Sequence, residues 1–288
     1  MIKKYQFGHA VVEVHLPEEM TIPKCMQLFE VEEGEPVKIC KLEFAKNLQK
    51  PIRDFCDIHG KIKEITRKNI NVLIAGDYEC RVLKFEGAAW PYAVYVEQDV
   101  LHNHTWVSLD VQQMLQFETI FVSLLGLEKI MIGTDALILH CAYMCRDGKA
   151  VLFSAPSETG KSTQADLWEK YRGTRTINGD KSLLIREVDG WYAHGWPICG
   201  SSEICNNERY PIQAIVMLFQ AKENTVRRLG MAEAMKKLMA QITMNMWNAK
   251  FQMKAMDMIQ QLIMEVPVYE LGCNISEEAV RCLESVLG

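Results

Sequence analysis

Short runs in which apolar and polar side chains alternate fill the first hundred or so residues, and alternation sends successive side chains to opposite faces of a strand. Ala10–Leu16, Val37–Phe44, Ile70–Ile74 and Cys80–Phe85 alternate in this way or are rich in β-branched residues, and Pro, Gly and Asp separate them. Gly60–Lys63 and Ala75–Asp77 read as turns, and Lys41–Lys50 is one of the few helix-like interruptions. Trp90–Val96 and Leu101–Val107 continue the strand pattern. His102 and His104, two apart, share one strand face. With no third ligand nearby, the pair reads as exposed or hydrogen-bonded histidines in preference to a metal site.

From Asp110 the period changes. Val111, Met114, Leu115, Phe117, Ile120, Phe121, Leu124 and Leu125 recur at three and four, which predicts a buried amphipathic helix of about four turns with Gly126 as its stop. The change places a domain boundary near residue 110, between a β-rich region 1–110 and a second region 111–288. Ala136–Cys145 and Lys149–Ala155 are apolar runs joined by Arg146-Asp147-Gly148, a hairpin signal. Lys161–Tyr171 reads as a helix ended by Gly173, and Thr174–Ile177 as a strand. Ser182–Arg186 and Trp191–His194 form a second hairpin around Val188–Gly190. A loop rich in Gly, Ser and Asn, Gly195–Asn207, leads to the near-continuous apolar run Ile212–Phe219, expected as a central strand. Beyond Gly230 the pattern is helical, with Met235, Leu238, Met239, Ile242 and Met246 on one stripe and Ala255, Ile259, Leu262 and Ile263 on another. That spacing turns most of the nine methionines between Met231 and Met264 inward. Val266–Leu271 returns to strand, and Ile275–Leu287 is a last helix with Asn274 or Ser276 as N-cap. The fold class is α/β, in the α+β sense of a mixed sheet.

Composition sharpens this picture in two ways. A chain of 288 residues, 49% hydrophobic, has core material for about two ordinary domains or one large one. Its net charge of −5 argues against broad binding to a phosphate backbone, so nucleic acid is not an expected partner. The first twenty residues include Glu13, His15, Glu18 and Glu19 and lack a signal-peptide core, and no window reaches a membrane-spanning length of apolar residues. A cytoplasmic protein with no membrane partner is expected. The ten cysteines then read as thiols, and neither Cys141/Cys145 nor Cys199/Cys205 has the spacing of a structural zinc site.

The candidate chemistry lies at Ala155, Pro156, Ser157, Glu158, Thr159, Gly160, Lys161, Ser162 and Thr163. A strand-like run feeds a glycine-containing turn that opens into a helix at Lys161-Ser162, the layout of a phosphate-binding loop. Backbone N–H groups and a helix N-terminus then face one anion, the lysine adds charge, and the hydroxyl can ligate magnesium. Ala155 stands where the first glycine of such loops usually sits. Asp180 lies at a strand end one crossover later, where open sheets collect ligand residues. It could ligate magnesium through a second shell or act as the acceptor's base. His140, delivered beside the loop by the first hairpin, could orient that carboxylate or shuttle a proton, or be a satisfied core histidine.

Leu139-His140, the strand from Gly148, Ala155–Thr163, Gly179-Asp180-Lys181, the loop Trp196–Ser202 and the strand Ala214–Leu218 together resemble the HPr kinase/phosphorylase family. The match is good over about residues 130–230 and weaker through Val268–Val280. The resemblance implies a phosphoenolpyruvate-carboxykinase-like P-loop kinase domain that uses ATP and Mg2+ and forms a homo-oligomer. It implies Lys161 as phosphate lysine, Ser162 as magnesium ligand, Asp180 as proton acceptor, Arg228 as a site arginine and Glu203 as a second magnesium-binding carboxylate. Three departures narrow this. The family's aspartate pair is Gly179-Asp180 here, the loop used against HPr is replaced by Ile198–Asn207, and the Pro-Gly-Arg-Asn element of the phosphorylase reaction has no counterpart. The expected function is therefore a kinase acting on a hydroxyl, on serine or threonine of a peptide or protein other than HPr or on a small molecule. The alternatives are a nucleotide-gated binding module without transfer, and a carboxykinase-type enzyme, for which Arg175, Arg227 and Arg228 are few.

Overall fold

The alternating N-terminal region becomes nine strands in the computed structural model, which describes residues 1–288. They are β1 (Ile2–Phe7), β2 (Ala10–His15), β3 (Glu30–Val31), β4 (Lys38–Ala45), β5 (Lys63–Thr66), β6 (Ile70–Ala75), β7 (Tyr78–Lys84), β8 (Pro91–Glu97) and β9 (His102–Ser108). One mixed sheet runs β3-β1-β2-β4-β9-β8-β7-β6-β5, with β2, β4 and β9 parallel. The helix expected over Lys41–Lys50 is displaced. Residues 38–45 are claimed by β4, which sits between β2 and β9 and buries Cys40 and Leu42, and the helix α1 follows at Gln49–His59. Asn47 Oδ1 accepts the Gln49 N–H at 2.9 Å, Pro51 sits in the first turn where its missing N–H costs nothing, and Gly60 at φ 71° closes the end. Phe55 of α1 packs on Leu73, Cys80, Val94 and Val96.

Beneath this sheet Arg81, 3% exposed, donates to Glu79 and Glu128, while Lys129 Nζ reaches Glu97 at 2.7 Å. Glu79 and Glu97 are themselves buried. His102 and His104 share a face as expected: His102 Nδ1 lies 2.9 Å from Asp99, and His104 lies 3.1 Å from Glu43 and stacks on Trp106.

The four-turn helix expected over Val111–Leu125 is broken. Leu109–Gln116 winds as a 3-10 turn, Phe117 is extended, and α2 spans Glu118–Ser123 before α3 (Leu127–Gly133). Gly126 does stop the chain, at φ 64°, with Tyr95 so close that a Cβ would lie 3.1 Å from its ring. The chain divides into two units, Met1–Ile130 and Met131–Gly288.

The second unit contains β10 (Ala136–Arg146), β11 (Lys149–Ser154), α4 (Lys161–Arg172), β12 (Arg175–Asn178), β13 (Lys181–Glu187), β14 (Gly190–His194), β15 (Arg209–Gln220), β16 (Thr225–Arg228), α5 (Met231–Met239), β17 (Ile242–Thr243), α6 (Ala249–Glu265), β18 (Val268–Cys273) and α7 (Glu277–Leu287). Its sheet is also mixed, in the order β11-β10-β13-β14-β15-β18-β16, and β15 pairs back onto β11 in parallel. Alternate residues serve two cores. Leu139, Cys141, Leu152 and Ile215 pack toward Leu238, Ile259 and Leu262 of α5 and α6, whereas Ala142, Phe153 and Val216 pack toward Trp168 of α4 and Val280 and Leu283 of α7. Covered on both faces, β15 needs apolar side chains at successive positions.

The single methionine stripe from Met235 to Met246 does not form. The helix ends at Met239 because Ile242–Thr243 turns out to pair with Leu139 and Ile138 of β10. Asn248 then caps α6 by accepting the Phe251 N–H at 3.2 Å. Met231, Met246, Met253, Met256 and Met264 are 42–67% exposed, so most of the nine do not face inward; α6 has one buried stripe, Ala255, Met258, Ile259 and Leu262, and its other methionines fall beside it. Ser276 precedes α7 but makes no side-chain cap.

Segment 195–207 is drawn tightly onto the end of β12. Gly179 N–H donates to Ile204 O, and Asn206 N–H to Ile177 O. A Cβ on Gly195 would meet Asn206 O at 1.9 Å, and one on Gly179 would meet Ser202 Oγ at 1.7 Å and its Cβ at 2.5 Å. Glycine is required at both positions by closeness of approach.

Two stability measurements check this account. Gly179→Ala is expected to destabilise the chain by about 1–3 kcal/mol through overpacking, and adding Ser202→Gly should raise its unfolding midpoint again; a Gly179→Ala protein as stable as wild type would contradict the packing. Arg81→Met removes the nearest cation from buried Glu79, leaving Lys129 Nζ 3.8 Å away, and should cost about 3–5 kcal/mol in urea unfolding.

Candidate active site

A buried strand must satisfy backbone groups on both edges, and β10 does so with four different strands. On one edge β11 pairs with Cys141–Arg146, then leaves at Ser154, and β17 takes over at Leu139. On the other edge β12 pairs with Tyr143–Cys145 and β13 with Ala136–His140, separated by the two-residue link Gly179-Asp180. His140 lies at both changes of partner. Its N–H donates to Gln241 O at 2.9 Å and its carbonyl accepts from Ser154 Oγ at 2.8 Å. The phosphate-type loop therefore departs on one side of His140 and the Asp180 turn on the other.

The loop is built by its backbone. Ala155 is 1% exposed and packs with Phe153 and Leu167, so the methyl that replaces the usual glycine is core material. Glu158 adopts φ 64° and Gly160 φ 109°, and Gly160 O accepts the Gln164 N–H as α4 starts. Gln220 Nε2, at the end of β15, holds Glu158 O at 3.4 Å. Lys161 is 7% exposed, and its Nζ donates to Ala155 O at 3.1 Å and Pro156 O at 3.2 Å. Burial lowers its pKa, with the Asp180 charge opposing. Ser162 and Thr163 follow on the first turn of α4, half-buried.

His140 Nδ1 lies 3.0 Å from the Asp180 carbonyl and 3.4 Å from its Oδ1. Both are acceptors, so Nδ1 carries the proton and Nε2 the lone pair. Nε2 is buried and has no protein partner. Burial, then the Lys161 charge, lowers the imidazole pKa against the pull of Asp180, which leaves the ring neutral near pH 7.

Asp180 itself is held by Asn178, a residue the spacing of motifs did not single out. Asn178 is 0% exposed; its Oδ1 accepts the N–H of Asp180 at 2.9 Å and of Lys181 at 3.0 Å, and its Nδ2 donates to Trp196 O at 2.6 Å. Asn before Gly-Asp at a strand end is the available signal, since asparagine closes such turns through its own side chain. Gly200, at φ 59°, abuts Asp180 so closely that a Cβ would lie 3.1 Å from the aspartate Cβ.

The remaining sequence candidates lie elsewhere. Glu203, at φ 56°, ends the short turn Gly200–Ser202 and is exposed on the loop near Asp180. Arg228 is exposed on the edge strand β16, opposite Tyr269. From β10 that strand is reached across β11, β15 and β18, about 19 Å away at the usual strand spacing. The structure therefore brings together His140, Lys161, the loop 155–163 and Asp180, and leaves Arg228 outside the group.

No helix of the chain is long and apolar enough to cross a membrane. No curated protein matches the sequence. Among solved structures, the HPr(Ser) kinase/phosphatase from Coxiella burnetii is similar at 11% identity, over 51% of this chain and 90% of that one, with a TM-score of 0.30. That score is too low for the likeness to inform function. A family model described as SynChlorMet cassette protein ScmC matches residues 108–287, a stretch that contains every residue of the site. The chain belongs to the ScmC family of SynChlorMet cassette proteins.

Proposed function

We propose that this chain is a kinase of ATP and Mg2+ that transfers the γ-phosphoryl group to a hydroxyl, on serine or threonine of a peptide or protein other than HPr or on a small molecule. The observation that carries the reading is the convergence on one strand position, His140, of a lysine-bearing phosphate-type loop and a carboxylate. Transfer to a hydroxyl needs positioning and charge neutralisation more than covalent chemistry from the protein. Lys161 and the N–H groups opening α4 supply positive potential at one place. An arriving phosphate would replace the two loop carbonyls that now hold Nζ.

Magnesium suits the donors present. It keeps several waters and takes one or two carboxylates together with phosphate oxygens, and Ser162 and Asp180 offer a hydroxyl and a carboxylate; Glu203 stands farther along the neighbouring loop. Bound there, the ion supplies neutralisation of the developing phosphate charge. Asp180 accepts the proton of the acceptor hydroxyl, and His140, neutral and donating through Nδ1, fixes the peptide that carries this carboxylate. The motif resemblance to HPr kinases supports the same assignment, including the phosphoenolpyruvate-carboxykinase-like architecture. Gly179, where that family has a second aspartate, favours the rival reading of nucleotide-gated binding without transfer.

Labelled Mg-ATP offered with serine and threonine peptides and with small alcohols decides between them. Lys161→Ala and Asp180→Asn are each expected to lower transfer by about 10²–10⁴-fold, with ATP still bound by the Asp180→Asn protein. A wild type that phosphorylates no acceptor, with an Asp180→Asn variant unchanged in ATP binding and in every activity, would sink the kinase reading.

A further inference from the structure

Three hydrogen bonds of one buried side chain fix the turn that carries the candidate base. From this geometry we propose that Asn178 is a positioning residue for phosphoryl transfer, holding Asp180 in register with His140 and fastening both to the loop that follows Trp196; the proposal rests on the kinase reading.

Between β12 and β13 the Asp180 carbonyl stays on β10 as acceptor of the Cys141 N–H, while the N–H groups of Asp180 and Lys181 turn to a side chain. Asn178 Oδ1 receives both, at 2.9 and 3.0 Å. Bridging two successive N–H groups pins the peptide between Asp180 and Lys181. The carbonyl of that peptide is the one that accepts the Cys141 N–H at 2.9 Å and the His140 Nδ1 proton at 3.0 Å. One acceptor atom thus sets the carboxylate, the imidazole and their separation.

The amide nitrogen works in the other direction. Nδ2 donates to Trp196 O at 2.6 Å, and Cys205 Sγ reaches the same carbonyl at 3.3 Å. This fastens the start of segment 195–207, whose Gly200 lies against the Asp180 side chain. Aspartate could not make that donation, and valine, a usual occupant of a buried strand end, could accept neither N–H group. The side chain is fully enclosed, so it does not touch substrate; its effect passes through Asp180.

A role through Asp180 has a kinetic signature. Asn178→Ala should lower kcat for transfer by about 10–100-fold, the scale of a misplacement near 1 Å, and leave KM for ATP within about threefold. Asn178→Ser, whose hydroxyl can still accept the Asp180 N–H, should recover part of the loss. In an Asp180→Asn background, Asn178→Ala should change the residual rate by less than about twofold, because the partner through which it acts is gone. Amide exchange at Asp180 and Lys181 should speed up in the alanine protein. If the alanine protein does not fold, the serine protein carries the same comparison. Wild-type kcat in the variant, unchanged exchange at those two amides, or a further tenfold loss in the Asp180→Asn background overturns the proposal and leaves the kinase reading standing. A wild type that transfers to no acceptor overturns both.

Discussion

Every backbone group on a buried strand needs a partner, and an enclosed strand can shed a neighbour only if another segment takes its place. On β10 that exchange occurs twice at nearly the same residue. β11 must leave its edge to enter the loop at Ala155, and β17 arrives to serve Leu139 while Gln241 serves His140. Across the strand, β12 passes to β13 through the two residues Gly179-Asp180. Leaving chain segments are what make a site, since loops positioned by a rigid frame carry the groups that can meet a ligand. The helix break after Met239 follows from the same requirement, because the two residues of β17 are worth more as an edge than as another half-turn of helix.

The kinase reading asks the charges at this fork to receive an anion. Lys161 is buried and held by its own loop's carbonyls, His140 is kept neutral by burial and by that lysine, and Asp180 is the negative charge that offsets them. A buried ammonium satisfied by neutral carbonyls gains from an incoming phosphate, whose charge-assisted hydrogen bonds are stronger than those it replaces. A protonated imidazole in the same place would add a second cation beside Lys161, and its desolvation would cost more than the contact returns. Keeping Nδ1 as a donor to a carbonyl avoids this, and leaves Nε2 as the free edge of the ring.

Much of this was legible in the sequence because it is local. The Asp147-Gly148 hairpin, the strand-loop-helix around Gly160, the Gly173 stop and the apolar run of β15 are each written in a few adjacent residues, and each stands where the pattern put it. The errors share a physical cause: pairing across distance overrode local preference. Lys41–Lys50 contains good helix formers, yet β4 is needed between β2 and β9; Ile242 and Met246 continue a helical spacing, yet the edge of β10 recruits Ile242–Thr243. Among the candidate residues, motif and offset pick out the loop and His140, and the structure sets them side by side. Motif and offset do not pick out Asn178, because its value lies in hydrogen bonds to a peptide two residues on and a carbonyl eighteen residues on, and asparagine before glycine reads first as a plain turn. Arg228 lies on β16 with β11, β15 and β18 between it and β10, a separation at which its position along the chain does not hint.

Gly179 is where these constraints meet. A side chain there would occupy the space of Ser202, whose hydroxyl donates to Cys199 O at 2.8 Å and accepts the Ile204 N–H at 3.2 Å, so the loop has taken the volume that a second carboxylate would need. The exchange is not neutral for the chemistry. Two adjacent carboxylates can divide metal binding and proton acceptance between them, whereas under the kinase reading a lone Asp180 would face both the ion and the acceptor hydroxyl. A carboxylate with two tasks tolerates less wandering than either of a pair, since each task fixes one of its oxygens. The enclosure of Asp180 by Gly200 on one side, the Asn178 bridge beneath it and the His140 ring beside it supplies that restriction through packing and backbone hydrogen bonds. Under the kinase reading, the loss of the second acid and the tightness of the loop over Gly179 are then two aspects of one arrangement.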